Sequence, residues 1–283
     1  MAHDNAKLPV GEVALSEKGW IKTNRWLILR RISQVSIIAL FIFAPLWLVK
    51  GNLASNLVLE TVPLTDPFLY LQALFAGQAF ELTALIGALI VVLFYLLVGG
   101  RAYCSWVCPV NVVTDSAGWL RRKLKIRKKC DLNPSIRYWV LGLVMLLSLL
   151  GGNMLWELIN PVTMLQRGLI YGMGLGWVII IGIFLYDLLW MRNGWCGHLC
   201  PMGAFYSLIN RFSLLRIKAK DRDGCDDCMD CFAVCPEPQV IRPALKGEKG
   251  HGIVIDESLC TNCGRCIDIC GPDVFGYGSR FNK

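Results

Sequence analysis

The residues best suited to chemistry lie in the last fifth of the chain, where Cys225, Cys228, Cys231 and Cys235 are followed by Cys260, Cys263, Cys266 and Cys270. Each run has the spacing C-x2-C-x2-C-x3-C and is closed by Pro236 or by Gly271-Pro272. That spacing lets one loop wrap three thiolates around a cubane [4Fe-4S] cluster, and in the bacterial two-cluster pattern the fourth cysteine of each run serves the other cluster. Cys225, Cys228, Cys231 and Cys270 are therefore expected to hold one cluster, and Cys260, Cys263, Cys266 and Cys235 the second. The alternatives fit less well. Disulfide frameworks belong to small secreted domains, and paired zinc ligands would leave Cys235 and Cys270 without a role.

A second set repeats the pattern C-x3-C-P, as Cys104/Cys108 before Pro109 and Cys196/Cys200 before Pro201. On a helix, residues four apart share a face, so each pair can present two sulfurs side by side, and the proline marks a first turn or a corner. Small cysteines packed as apolar residues would explain one such pair, but duplication favours a shared role. Three versions stay open: ligation of a third iron-sulfur cluster or a metal, dithiol-disulfide cycling, and a transient soft-metal site such as one for copper.

The elements that must position these cysteines are apolar. Of 283 residues, 55% are hydrophobic and 18% charged, and the mean hydropathy is +0.49. Runs at about 26–49, 78–98, 138–155 and 168–190 approach the ~20 residues needed to cross a ~30 Å hydrocarbon core. Lys and Arg gather between the second and third runs, from Arg101 to Arg137, so the positive-inside rule puts both termini and that segment in the cytoplasm. Thirteen cysteines, twelve of them in these patterns, also require a compartment that keeps thiols reduced. The net charge of +8 sits beside apolar segments rather than among aromatics, so nucleic acid is not an expected partner. The polar start and the long first apolar run argue against a cleavable leader.

The expected fold is mainly α: a four-helix transmembrane bundle followed by a small α+β two-[4Fe-4S] ferredoxin-like domain. The division is a cytoplasmic arm (1–25), a membrane domain (26–215) and a cytoplasmic cluster domain (216–283), in a multi-pass protein of the bacterial inner membrane. The bundle reads as two repeated hairpins. Asp66-Pro67 and Asn160-Pro161 lie 94 residues apart, Cys104 and Cys196 lie 92 apart, and Lys125-Ile126-Arg127 echoes Arg216-Ile217-Lys218 at 91. Because each unit holds an even number of spans, the copies share one orientation.

Other polar residues carry weaker signals. Asp66, Gln72, Glu81, Glu157, Asn160, Gln166 and Arg167 either shape turns or line a quinol pocket. Asp187 lies within an apolar run, where a carboxylate suggests function or snorkelling. His198 sits between Cys196 and Cys200 as a ligand, a proton carrier or a packed side chain. Cys130, His3 and His251 have no pattern.

Both C-x3-C-P pairs, the apolar core and the terminal cysteine runs, with E-K-G-W (17–20), R-W-L-I-L-R-R (25–31), V-P-L-T-D-P, I-N-P and C-M-D-C-F-A-V-C-P-E-P, resemble the NapH family over nearly the whole chain. The resemblance implies a component of a quinol dehydrogenase that works with a periplasmic iron-sulfur subunit like NapG. Electrons would pass from the quinol pool toward a periplasmic nitrate reductase, directly or through a membrane-anchored c-type cytochrome. Other proteins with the C-x3-C-P core resemble cupric reductases that handle copper, and a redox sensor is a third class. With clusters on one side of a ~30 Å core and only three histidines, the four C-x3-C-P cysteines and quinol are the bridging candidates within the chain.

Overall fold

The computed structural model describes residues 10–43, 49–51, 55–58, 62–78, 81–126, 132–172, 174, 176–247 and 250–281. His3 and Cys130 lie outside these residues.

The chain begins with helices α1 (Glu12–Thr23) and α2 (Arg25–Phe43), followed by strands β1 (Val49–Gly51), β2 (Ser55–Val58) and β3 (Val62–Thr65). The three strands form an antiparallel sheet in the order β1-β2-β3, with Ser55 opposite Thr65. Next come α3 (Pro67–Phe75), α4 (Leu82–Val98), a π-helical turn at Tyr103–Val107 and α5 (Val110–Lys123). After α6 (Ile136–Gly151) and α7 (Leu155–Ile159) the same series returns as α8 (Pro161–Tyr171), α9 (Gly176–Leu189), a π-helical turn at Trp195–Leu199 and α10 (Pro201–Asn210). Two equivalent caps start the two series. The Asp66 side chain accepts from Phe68 N at 2.8 Å ahead of Pro67, and Asn160 accepts from Val162 N at 3.1 Å ahead of Pro161. Proline at the first helical position loses no hydrogen bond there.

The tail consists of β4 (Leu215–Ala219), α11 (Asp230–Val234), α12 (Ile241–Lys246), α13 (Arg265–Ile269) and β5 (Phe275–Ser279). β4 and β5 pair antiparallel, Leu215 opposite Ser279. Beneath them Ile217, Val240, Ile241, Ile255 and Phe275 form one core with Cys231, Cys260, Cys266 and Cys270. Burying each large aliphatic side chain contributes about 1.5–3 kcal/mol.

The four-span reading does not stand. Among the described residues no helix is long and apolar enough to cross a membrane, and the multi-pass localisation built on such spans is overturned with it. The apolar runs became helices of 17, 16 and 14 residues (α4, α6, α9), and at 1.5 Å per residue even the longest spans about 25 Å. The 19-residue α2 buries Arg30 and Gln34 in its middle. Arg101, Arg121 and Arg137 are buried, and Arg101 and Arg137 are both ion-paired to Glu237, so these charges are consumed by internal structure. The helices still expose apolar side chains such as Leu89, Leu93, Leu143 and Ile181.

Candidate iron-sulfur centres

In the tail, each loop reverses direction between cysteines by entering the left-handed region twice. Asp227 (φ 57°) and Met229 (φ 64°) do so in the first run, and Asn262 (φ 48°) and Gly264 (φ 73°) at the equivalent places in the second. Only glycine adopts that region without strain. At Met229 the strain costs about 1–2 kcal/mol. The turns leave the sulfurs around two small cavities. One is lined by Cys225, Cys228, Cys231 and Cys270 beside Phe232, Leu245 and Phe275. The other is lined by Cys235, Cys260, Cys263 and Cys266 beside Ile217, Ile241 and Glu237. Burial pushes Cys231 up to about 12 and Cys260 up to about 11. Cys266 is raised by burial and by Cys263, Cys235, Cys260 and Cys231, so the two quartets approach each other at Cys231 and Cys266.

The C-x3-C-P cysteines are positioned differently. Each pair rides on a π-helical turn closed by an i to i−5 bond, Cys108 N to Tyr103 O at 3.0 Å and Cys200 N to Trp195 O at 2.9 Å. Single π turns inside helical structure recur at functional sites. The first turn is held by α2: Arg30 Nε and Gln34 Nε2 donate to Ser105 O, and Ser33 Oγ donates to Trp106 O, each at 3.0 Å. The second is held by Asp187, buried at the end of α9, which accepts from Trp195 N at 3.0 Å. Burial holds that carboxyl up at about 7. Asp187 is thus a local clamp on the turn.

Although the pairs are 92 residues apart, their sulfurs gather. Burial raises all four thiols, Cys200 to about 12, and neighbouring sulfurs add to it. Cys104 and Cys200 oppose ionisation of Cys108, and Cys200, Cys108 and Cys104 oppose that of Cys196. The nearby charge of Arg101 works the other way on Cys104. Four half-buried thiols that oppose one another's ionisation become thiolates together only if a positive group sits among them, since a coordinated thiol ionises readily. Among the described residues no three His, Cys, Asp or Glu side chains close around a point fit for a single ion, and every described cysteine is free of disulfide. Four cysteines around a shared space are a donor set for an iron-sulfur cubane, and the same holds for each tail quartet.

Family models match two stretches: a 4Fe-4S binding domain at residues 80–127 and 169–220, and a 4Fe-4S dicluster domain at residues 224–274. The ferredoxin-type protein NapH of Haemophilus influenzae is 46% identical over 98% of both chains, and NapH of Escherichia coli is 42% identical over 99% of this chain and 98% of its own. The methylamine utilization ferredoxin-type protein MauN of Methylorubrum extorquens is 50% identical over 94% of this chain and 93% of its own. The chain belongs to the NapH/MauN family of ferredoxin-type proteins. As in the family models, its chemistry is electron transfer through [4Fe-4S] centres. No solved structure matches it.

In this NapH/MauN chain several of the weaker sequence candidates serve caps and packing. Asp66 is buried and accepts from Tyr206 Oη at 3.2 Å, with Tyr206 stacked on Tyr103 at 4.6 Å. Gln72 is buried against Ser148 at 2.8 Å. Glu81 is exposed, and Glu157 meets Asn160 and Arg167. Gln166 is buried. None of these lines a broad cavity that is partly open to solvent. Cys104, Cys196 and Cys263 do, together with Arg30, Arg31, Arg101, Arg122, Arg192 and Arg265. His198 is buried with Nδ1 unpartnered, and burial lowers its pKa. His251 is exposed. Sequence reasoning missed Arg101, Glu237 and Asn210. Gly99-Gly100 before Arg101 was the available signal: a Cβ at Gly100 would stand 2.4 Å from Tyr206 O, so that glycine marks a close helix crossing.

Proposed function

We propose that this chain is a three-centre [4Fe-4S] electron-transfer subunit that accepts electrons from quinol and delivers them to an iron-sulfur partner resembling NapG, in a route ending at a periplasmic nitrate reductase. The observation that carries the reading is that Cys104, Cys108 and Cys200 pack against one cluster while Cys104 and Cys196 share a cavity lining with Cys263 of the tail. Cys225, Cys228, Cys231 and Cys270 would hold one tail cluster and Cys260, Cys263, Cys266 and Cys235 the other. The C-x3-C-P cysteines would hold a third. Each cluster supplies a one-electron acceptor whose potential depends on charge, hydrogen bonding and exposure. A quinol yields two electrons and two protons, so two centres each gain one electron while the protons pass to water. The cationic lining around Cys104, Cys196 and Cys263 favours the more negative reduced state and draws the potentials toward the range a quinol can reach.

MauN relatives at an identity similar to that of NapH support a second end point, methylamine utilization, served by the same three-centre chain. The copper-handling alternative has no comparable support. Stopped-flow mixing of the oxidised protein with a reduced quinol analogue tests the proposal. Bleaching of the cluster absorbance is expected, and clusters that bleach with dithionite but not with quinol overturn the donor assignment.

A further inference from the structure

The three cysteine quartets are not equally connected. The quartet of Cys235, Cys260, Cys263 and Cys266 lies against the C-x3-C-P turns. Ser105 Oγ donates to Thr261 O at 2.8 Å, Trp106 Nε1 to Asn262 O at 3.1 Å, and Asn210 Nδ2 to Cys260 O at 2.8 Å. The quartet of Cys225, Cys228, Cys231 and Cys270 meets α1 instead, where Gly11 N donates to Asp230 at 2.9 Å and Lys18 Nζ to Cys270 O.

One buried side chain touches both neighbouring quartets. Arg101, 1% exposed, donates to Cys196 O at 3.4 Å and lines the same cavity as Cys104. On its other side it reaches Glu237 Oε1 at 3.1 Å, two residues beyond Cys235, and Leu259 O, one residue before Cys260. Arg137 Nη2 at 3.0 Å and Gln239 Nε2 at 2.7 Å fix the two oxygens of Glu237. A buried cation would be costly without such partners, and its planar fork holds several acceptors at once.

We infer that Arg101 is the positioning residue that couples the C-x3-C-P centre to the Cys235/Cys260/Cys263/Cys266 centre, which makes the Cys225/Cys228/Cys231/Cys270 centre the outlet. The inference rests on the three-centre reading and adds an order to it. One electron leaves the C-x3-C-P side and one is gained at the middle quartet, with no proton required. Cys231 and Cys266 pack in one core where α11 meets α13, so the outlet quartet would take the electron from the middle one. Arg101 has two separable effects. Its charge stabilises the reduced state at both adjoining quartets, and its hydrogen bonds tie Cys196 to Glu237 and Leu259.

Iron analysis and EPR-monitored redox titration of the full chain test this, in the wild type and in Arg101→Gln, Arg101→Lys and Glu237→Gln. Loss of charge in Arg101→Gln is expected to lower the potentials of the C-x3-C-P and middle centres while the outlet centre moves least. Arg101→Lys keeps the charge, so potentials stay near wild type while electron exchange between those two centres slows. If Arg101→Gln does not fold, Glu237→Gln and the wild-type spectrum decide. Reduced wild type is expected to show stronger spin-spin broadening between the C-x3-C-P and middle centres than between the C-x3-C-P and outlet centres. Roughly 12 iron atoms per chain with broadening or potential shifts directed at the outlet centre instead overturns the order alone. Iron near roughly 8 atoms overturns the three-centre reading, and the order falls with it.

Discussion

The tail and the C-x3-C-P core both gather cysteines in fours, but by opposite means. In the tail, three of each four sulfurs come from one seven-residue loop, and the left-handed residues 227, 229, 262 and 264 bend the backbone around the cavity. In the core, two π turns from distant halves of the chain meet, and neither has meaning without the helices that hold it. The tail's cysteines are also part of its apolar core, beside Ile217, Ile241 and Phe275. The core's cysteines pack at the edge of an aromatic cluster of Tyr95, Tyr103, Trp156 and Tyr206 that is substantial without them. A ligand set made by a local loop should therefore govern the stability of its lobe, whereas one assembled from preformed helices should govern chemistry alone.

The largest effect expected from that contrast is on iron removal. Because four tail cysteines lie inside the hydrophobic core, chelation should abolish slow amide exchange across 215–281 while α4, α6 and α10 keep theirs. Hydrogen exchange that rises equally in both regions would erase the distinction. Next in size, combined Cys104→Ser and Cys196→Ser substitution should lower iron from roughly 12 to roughly 8 atoms per chain with helical content and tail EPR signals retained. Loss of the tail signals as well would show that the core quartet is structural.

The smallest effect concerns the aromatic cluster itself. Burial lifts the Asp66 carboxyl from its ordinary range to about 6, against hydrogen bonds from Phe68, Leu69 and Tyr206 that favour the charged form. Tyr95, Tyr103, Tyr206 and Glu157 face it, and none is cationic. The folded state then binds the proton more tightly than the unfolded chain does. Its contribution is complete below about pH 4 and is lost as pH rises through about 6, a change of up to about 3 kcal/mol. Urea midpoints should fall over that window in the wild type and lose this component in Asp66→Asn. Parallel curves for the two proteins would mean that Asp66 is not enclosed by the tyrosines.

Much of the site chemistry was readable because it is local. Cysteine spacing, Asp66-Pro67 and Asn160-Pro161 caps, and the repeat that sets Cys104 beside Cys196 in register all depend on near neighbours in the chain. Which polar residues are enclosed was not readable: Asp66, Gln72 and Gln166 are buried in caps and packing while Glu81 is exposed.

What the sequence by itself determined was the family, the iron-sulfur chemistry and a mainly helical chain, because motif spacing and apolar content act through local geometry. Tertiary structure alone decided how long the helices run and what the arginines do. An apolar run of 14–17 residues in a packed helix and one in a membrane span have the same composition, and the difference lies only in where the chain turns. Arg101 and Arg137 looked like markers of topology until Glu237, 136 and 100 residues away, was found between them. No local pattern encodes a pair that distant, because only the packing of β4, α6 and the two π turns brings the partners within reach.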